Sequence, residues 1–155
     1  MTERQPIVKD YMTTKLININ ENQPVYDAIK TLLSNRISGA PVVNEAGKLV
    51  GVLSEKDCLR IFANGSFHNL PSSNVEDYMS KIVTTINPET DVFTAADIFL
   101  KHTFRRLPVI DGDNLIGIIS RRDILKAVQD AFQNDSYSAS NQKEYLSQEM
   151  KAILK

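Results

Sequence analysis

Duplication constrains this chain more than any other feature. Val8-Lys9-Asp10-Tyr11-Met12 returns as Val75-Glu76-Asp77-Tyr78-Met79, and the same offset matches Ile19-Asn20 to Ile86-Asn87, Val25 to Val92, Ala28 to Ala95, Leu33 to Leu100 and Pro41-Val42 to Pro108-Val109. One residue is then dropped, after which Leu49, Gly51, Ser54, Asp57 and Leu59 match Leu115, Gly117, Ser120, Asp123 and Leu125. Identities that keep their order across a single gap imply two copies of one structural unit. At 155 residues, 42% apolar and 24% charged, the two copies fill most of one ordinary globular domain.

Each copy predicts β-α-β-β-α. A short helical turn ends at Met12 or Met79, and the β-prone runs 16–19 and 83–86 follow it. Apolar residues then recur with helical period: Val25, Ala28, Ile29, Leu32 and Leu33 in the first copy, Val92, Ala95, Ala96, Phe99 and Leu100 in the second. Strands at 41–43 and 49–53, and at 108–110 and 115–119, are separated by polar turns of hairpin length. Helices over 55–63 and 121–131 close the copies. A unit of this kind leaves one sheet face uncovered, so the expected fold is mixed α/β (α+β), with the copies packed sheet to sheet. The expected boundaries are 7–63 and 75–131 for the copies and 64–74 for a linker. The remainder, 132–155, is a polar stretch and an amphipathic helix over 142–155, which either lies on its own domain or meets another subunit or partner.

Several function classes are excluded. With 18 basic and 19 acidic residues the net charge is −1, which supplies no general surface for nucleic acid. Cys58 is the sole cysteine, so no internal disulfide forms, and His68 and His102 are too few and too distant for a His/Cys metal set. No apolar run approaches the roughly 18 residues of a membrane span, and the start lacks a signal-peptide core; these features predict a cytoplasmic protein without membrane contact. Neither a Ser-His-Asp order, nor a catalytic carboxylate pair, nor a Walker loop is present, so no enzyme is expected. Cys58, Met12 and Met79 read as packing residues, and His102 as solvated.

The most informative local pattern is the strand-to-helix junction, Gly51-Val52-Leu53-Ser54-Glu55-Lys56-Asp57 and Gly117-Ile118-Ile119-Ser120-Arg121-Arg122-Asp123. Serine followed three residues later by an acid resembles a capping box, which is a purely structural role. A second role is compatible with it. A helix N-terminus favours an anion such as phosphate, and the serine hydroxyl can donate to it. The aspartate cannot take an anion, but it can accept from a ribose diol. A second cluster, Phe104-Arg105-Arg106-Leu107-Pro108, replaces Ile37-Ser38-Gly39-Ala40-Pro41 of the first copy. The arginines read either as a solvated helix end or as bidentate phosphate ligands.

Two copies that open Asp-Tyr-Met and close Gly-x-x-Ser-x-x-Asp resemble a tandem pair of cystathionine β-synthase (CBS) domains, the Bateman module. The second copy, through Arg105-Arg106-Leu107-Pro108-Val109-Ile110-Asp111, also resembles the nucleotide-sensing γ subunit of AMP-activated protein kinase, which has a His-Arg pair before the same Leu-Pro. The resemblance implies two clefts between the copies, related by a pseudo-two-fold axis. The first would use Val52, Ser54 and Asp57 with Val83, Thr84, Phe104, Arg105 and Arg106, and Arg122 would point toward its phosphates. The second would use Ile118, Ser120 and Asp123 with Leu16, Ile17, Ile37, Ser38 and Gly39. The family further implies a stand-alone regulatory module, usually a homodimer. Such a module binds AMP, ADP or ATP as a regulatory ligand rather than a catalytic cofactor, and signals to an unidentified protein target by a change of shape. The first cleft, richer in cations, is expected to bind phosphorylated adenosine more tightly. The rivals are a sensor of S-adenosylmethionine, NAD or a divalent cation, and a ligand-free dimerisation or partner-binding scaffold.

Overall fold

The computed structural model describes residues 4–63, 73–134 and 151–152. Most of the expected linker and nearly all of the expected C-terminal helix lie outside the described residues. Helix α1 (Val8–Tyr11) is followed by β1 (Ile19–Asn20), α2 (Val25–Ser34), β2 (Gly39–Val43), β3 (Leu49–Ser54) and α3 (Glu55–Ala63). A 3-10 turn (Val75–Asp77) opens the second copy, followed by α4 (Val92–Lys101), β4 (Arg106–Asp111), β5 (Asn114–Ser120) and α5 (Arg121–Asn134). The helix that closes the second copy thus runs three residues past its expected end. Among the described residues no helix is long and apolar enough to cross a membrane.

The hairpins form where the sequence places them. β2 pairs antiparallel with β3 and β4 with β5, and each ladder shifts register at the same step, Val42/Val43 and Val109/Ile110. The first turn is tied by Asn44 Oδ1, which accepts from the Ala46 and Lys48 amides, and closes through Gly47 at φ +78. That backbone is accessible to glycine without a Cβ penalty. Ala28 and Leu32 of α2 and Cys58 of α3 bury against Val42 and Leu53. In the second copy Ala95 and Phe99 of α4, with Ile124 and Ala127 of α5, bury against Leu107, Val109 and Ile119. The opposite sheet faces meet between the copies, where Pro41 and Val52 share a cavity wall with Pro108 and Ile118.

The β-prone runs differ from expectation. Only Ile19 and Asn20 pair, parallel to Val42 and Val43, and in the second copy only Ile86 bridges to Val109. The reason lies in where the preceding residues are held. Thr13 forms a two-way backbone bridge with Ile118 of the second copy (2.8 and 3.0 Å), and Ser80 forms one with Val52 of the first (2.9 and 3.0 Å). Residues 14–18 and 81–85 therefore cross between the copies and have no strand beside them.

The opening turn of each copy thus belongs to the other copy's core. Val8 is fully buried among Ile86, Val92, Leu107, Val109 and Ile119, and Val75 among Ile19, Leu32, Val42 and Leu53. The Asp-Tyr-Met motif builds this exchange. Asp10 accepts from the Ile7 amide (3.1 Å) and Asp77 from the Asn74 amide (3.1 Å), which starts each turn. Tyr11 donates to Asp130 on α5 (3.1 Å), and burial first, then this acidic partner, hold its hydroxyl above the usual tyrosine range. Met12 and Met79 lie over the two glycines of the opposite sheets. A Cβ on Gly117 would stand 2.6 Å from Met12 Sδ; one on Gly51 would stand 2.7 Å from Met79 Sδ and 2.8 Å from the Ser80 carbonyl oxygen. Gly51 and Gly117 thus admit a chain, and the chain is that of the other copy.

Gly51→Ala must push aside a backbone carbonyl as well as a thioether. We expect it to destabilise the protein by about 1–3 kcal/mol in urea unfolding; an unchanged midpoint would show that the halves are not held in this register.

Candidate functional site

The strand-to-helix junctions form as capping boxes in both copies. Asp57 Oδ2 accepts from the Ser54 amide (2.8 Å) and hydroxyl (2.8 Å), and the Asp57 amide donates back to Ser54 Oγ (3.2 Å). Asp123 and Ser120 repeat the arrangement at the same three distances. The capping reading is therefore correct, and each serine already spends its hydrogen on its own aspartate. The copies differ in the second carboxylate oxygen. Asp57 is buried and its Oδ1 accepts from Arg60 Nη1 (3.2 Å). Asp123 is half-buried, and its Oδ1 has no hydrogen-bond partner among the described residues, because Lys126 replaces Arg60 and makes no ion pair with it.

Two cavities open between the copies. The larger, about 650 Å³, is bounded by Val52, Ser54 and Lys56 from the first copy and by Phe104, Arg105 and Arg106 from the second. Phe104 is half-buried and stacks on the exposed His102 ring at 5.0 Å between centroids. The smaller, about 200 Å³, is bounded by Thr13, Lys15, Ile17 and Ile37 of the first copy and by Ser120 and Asp123 of the second, with Gly39, Arg106 and Ile118 shared between the two cavities.

Most of the expected sets come together. Val52, Ser54, Phe104, Arg105 and Arg106 share the larger cavity, and Ile17, Ile37, Gly39, Ile118, Ser120 and Asp123 the smaller. Ser38, expected in the second cleft, borders the larger one instead. Asp57, Val83, Thr84, Leu16 and Arg122 border neither cavity. Asp57 turns inward to its cap and to Arg60. Arg122 is exposed on the first turn of α5. Val83 and Thr84 are half-buried on the crossing segment, beside Ile82, which is 94% exposed. The equivalent crossing segment of the first copy does close on its cleft, through Thr13, Lys15 and Ile17. Sequence reasoning missed Thr13 and Lys15, which follow Met12 directly; the signal was the Met-Thr-Thr-Lys continuation, which supplies a hydroxyl and a cation beside a turn that must reach the other copy.

Cys58 is inert by its surroundings. Burial first, and then the neighbouring Asp57 charge, push its thiol up to about 11, so the thiolate is scarce at neutral pH. Among the described residues no group of three or more His, Cys, Asp or Glu gathers as a metal site would require.

Comparison with known proteins now fits this geometry. The CBS domain model matches twice, over residues 8–64 and 75–130. The chain belongs to the CBS-domain family. Protein MJ1225 of Methanocaldococcus jannaschii, an uncharacterized protein, is 28% identical over 148 residues, 96% of this chain and 52% of its own length, so the chain spans about half of that relative. The structure of CBSX2 of Arabidopsis thaliana in complex with AMP superposes with a TM-score of 0.70 at 30% identity, covering 81% of this chain and 97% of that one. The CBS domain pair of MJ0100, in complex with 5'-methylthioadenosine and S-adenosyl-L-methionine, superposes with a TM-score of 0.68 at 26% identity, covering 83% and 99%.

The caps should add to the stability of this CBS pair. Asp57→Ala and Asp123→Ala should each cost roughly 0.5–2 kcal/mol in urea unfolding, with the buried Asp57 the more costly; a cost near zero at both would remove the capping role.

Proposed function

We propose that this CBS pair is a regulatory module that binds an adenosine nucleotide between its two copies and converts binding into a change in their relative orientation. One observation carries the reading. The larger cavity lies within the size range of small-molecule sites and combines an aromatic ring, Phe104, with two guanidiniums, Arg105 and Arg106, that form no ion pair with any described residue. An adenine base suits the ring and the apolar strand residues. A phosphate suits the arginines, which bind it through two parallel hydrogen bonds. AMP bound by the similar CBSX2 pair supports the same chemistry.

The ribose partner differs between the clefts. In the smaller one Asp123 Oδ1 is available to a ribose hydroxyl. Asp57 borders neither cavity, so in the larger cleft it reaches a ribose only after Arg60 releases Oδ1 and the carboxylate turns outward; the Arg60 side chain is 62% exposed, so its bond is weak and displaceable. A ligand touching both copies stabilises whichever orientation it fits better, by its difference in affinity and no more. No acid–base pair on a reacting centre is needed for this role, and it is regulatory rather than enzymatic. A cytoplasmic location fits a pool of free nucleotide; the regulated target is a further protein.

A second reading has support from MJ0100: an adenosylated ligand such as S-adenosylmethionine would need Arg105 far less. Calorimetry on wild type and Arg105→Ala separates the two. AMP should raise the melting temperature by roughly 5–10 °C at 100 times Kd, and Arg105→Ala should weaken AMP roughly 10- to 150-fold while sparing adenosine. Preference for S-adenosylmethionine, with AMP indifferent to Arg105, selects the rival. No shift with any adenosine compound leaves a scaffold.

The helices also support pairing of two chains. Leu33 and Leu100, at equivalent positions of α2 and α4, are 70% and 86% exposed, and Leu59 and Leu125 of α3 and α5 are similarly bare. Repeated apolar faces on the outer helices of both copies suit a two-fold partner with the same faces. Wild type should sediment as a dimer, and Leu33→Lys with Leu100→Lys as a monomer; a monomeric wild type at micromolar concentration overturns the pairing.

A further inference from the structure

We infer that Glu55 is a charge filter on the larger cleft, which favours a nucleoside monophosphate over a triphosphate. This rests on the nucleotide reading above and adds to it the charge of the ligand that the cleft prefers.

Three cations border the larger cavity, Lys56, Arg105 and Arg106, and among the described residues Glu55 is the one acid that does so. Asp57, two residues further on, borders neither cavity and is held by its cap and by Arg60. Glu55 is exposed, its amide donates to the Ser38 carbonyl (2.9 Å), and its carboxylate makes no hydrogen bond or ion pair with any described residue. The first copy thus presents an unpaired negative charge to a cleft whose guanidiniums come from the second copy.

An acid in the first turn of a helix has an ordinary structural use, since it complements the helix dipole. The second copy shows that this junction does not require one. Its equivalent residue is Arg121, of opposite charge, and the Ser120–Asp123 cap forms there at the same three distances as the Ser54–Asp57 cap. Arg121 borders neither cavity, and its guanidinium donates to the His102 carbonyl (3.3 Å). Of the two equivalent positions, only the one that borders a cavity carries an acid.

The charge count gives that acid a function. Three cations less one acid leave a net +2 around the larger cavity. A phosphate monoester carries about −1.5 to −2 at neutral pH, which this balances. Each further phosphoryl group adds roughly one negative charge, and the excess is repelled by Glu55 with no bordering cation left to offset it.

Glu55→Gln removes the charge at nearly constant size, and Glu55→Asp retains it. Adenosine, AMP and ATP are titrated by calorimetry into the full chain and both variants, in magnesium-free buffer at low and high salt, with thermal unfolding to check that the fold persists. The energy of one fixed charge scales with the charge of the ligand. We therefore expect Glu55→Gln to tighten AMP roughly 2- to 5-fold and ATP roughly 4- to 30-fold, and to leave adenosine unchanged. The gains should shrink at high salt, and Glu55→Asp should keep the wild-type order. They should fall on the site that Arg105→Ala weakens, because Arg105 borders the larger cavity alone of the two. Equal gains for AMP and ATP, or no gain for either, overturn the filter. Weakened adenosine in Glu55→Gln makes the carboxylate a ribose partner and overturns it too. These outcomes leave the nucleotide reading intact; failure of every adenosine compound to bind the wild type overturns both.

Discussion

Each half of this protein is completed by a turn from the other half, and the contact that permits it is a methionine laid on a glycine. Met12 covers Gly117 and Met79 covers Gly51, at distances that leave no room for a Cβ. The turns carry Val8 and Val75 into the opposite cores, where both are wholly buried. Burying a valine is worth about 1.5–3 kcal/mol, and the two-way bridges at Thr13–Ile118 and Val52–Ser80 fix the register in which it happens. A single repeat would lack its own valine partner and leave its glycine strand uncovered. The pair, rather than the repeat, is therefore the unit that folds.

The exchange also makes the clefts. Because the chain must cross from one copy to the other after each turn, residues 14–18 and 81–85 run past the junction of the two sheets. Lys15 and Ile17 of the first crossing border the smaller cavity, no residue of the second crossing borders the larger, and the larger cavity is about three times the volume. Duplicated sequence has diverged into unequal sites. The substitution of Arg60 by Lys126 and of Gly39 by Arg106 distributes charge across that inequality: Arg60 holds one aspartate, and Arg106 borders both cavities.

Much of this was legible in residues alone. The hairpins followed from turn chemistry and alternation, the helices from apolar period, and the Ser-x-x-Asp caps from local hydrogen bonding. The clefts' membership was legible in part, through the equivalent positions of the repeat; the registers that set Gly39 opposite Ser54 and Arg106 opposite Ser120 depend as well on the irregularity in each ladder, which hairpin length does not give. Asp57 was not legible as a closed group. Its buried setting and its bond to Arg60 depend on how α3 seats against the sheet, which local pattern does not specify. The runs 16–19 and 83–86 read as strands since their side chains favour that conformation, but a strand also needs a neighbour to receive its hydrogen bonds.

By itself the sequence determined the doubled α/β architecture, the element order and the serine–aspartate caps, since each depends on interactions spanning a few residues or on a periodicity. Only the tertiary structure decided that the opening turns trade places, that the cavities are unequal, and that Arg106 borders both. Those outcomes depend on which surfaces meet across the pseudo-two-fold axis. Contacts between residues far apart in the chain set them, and no local preference encodes such contacts.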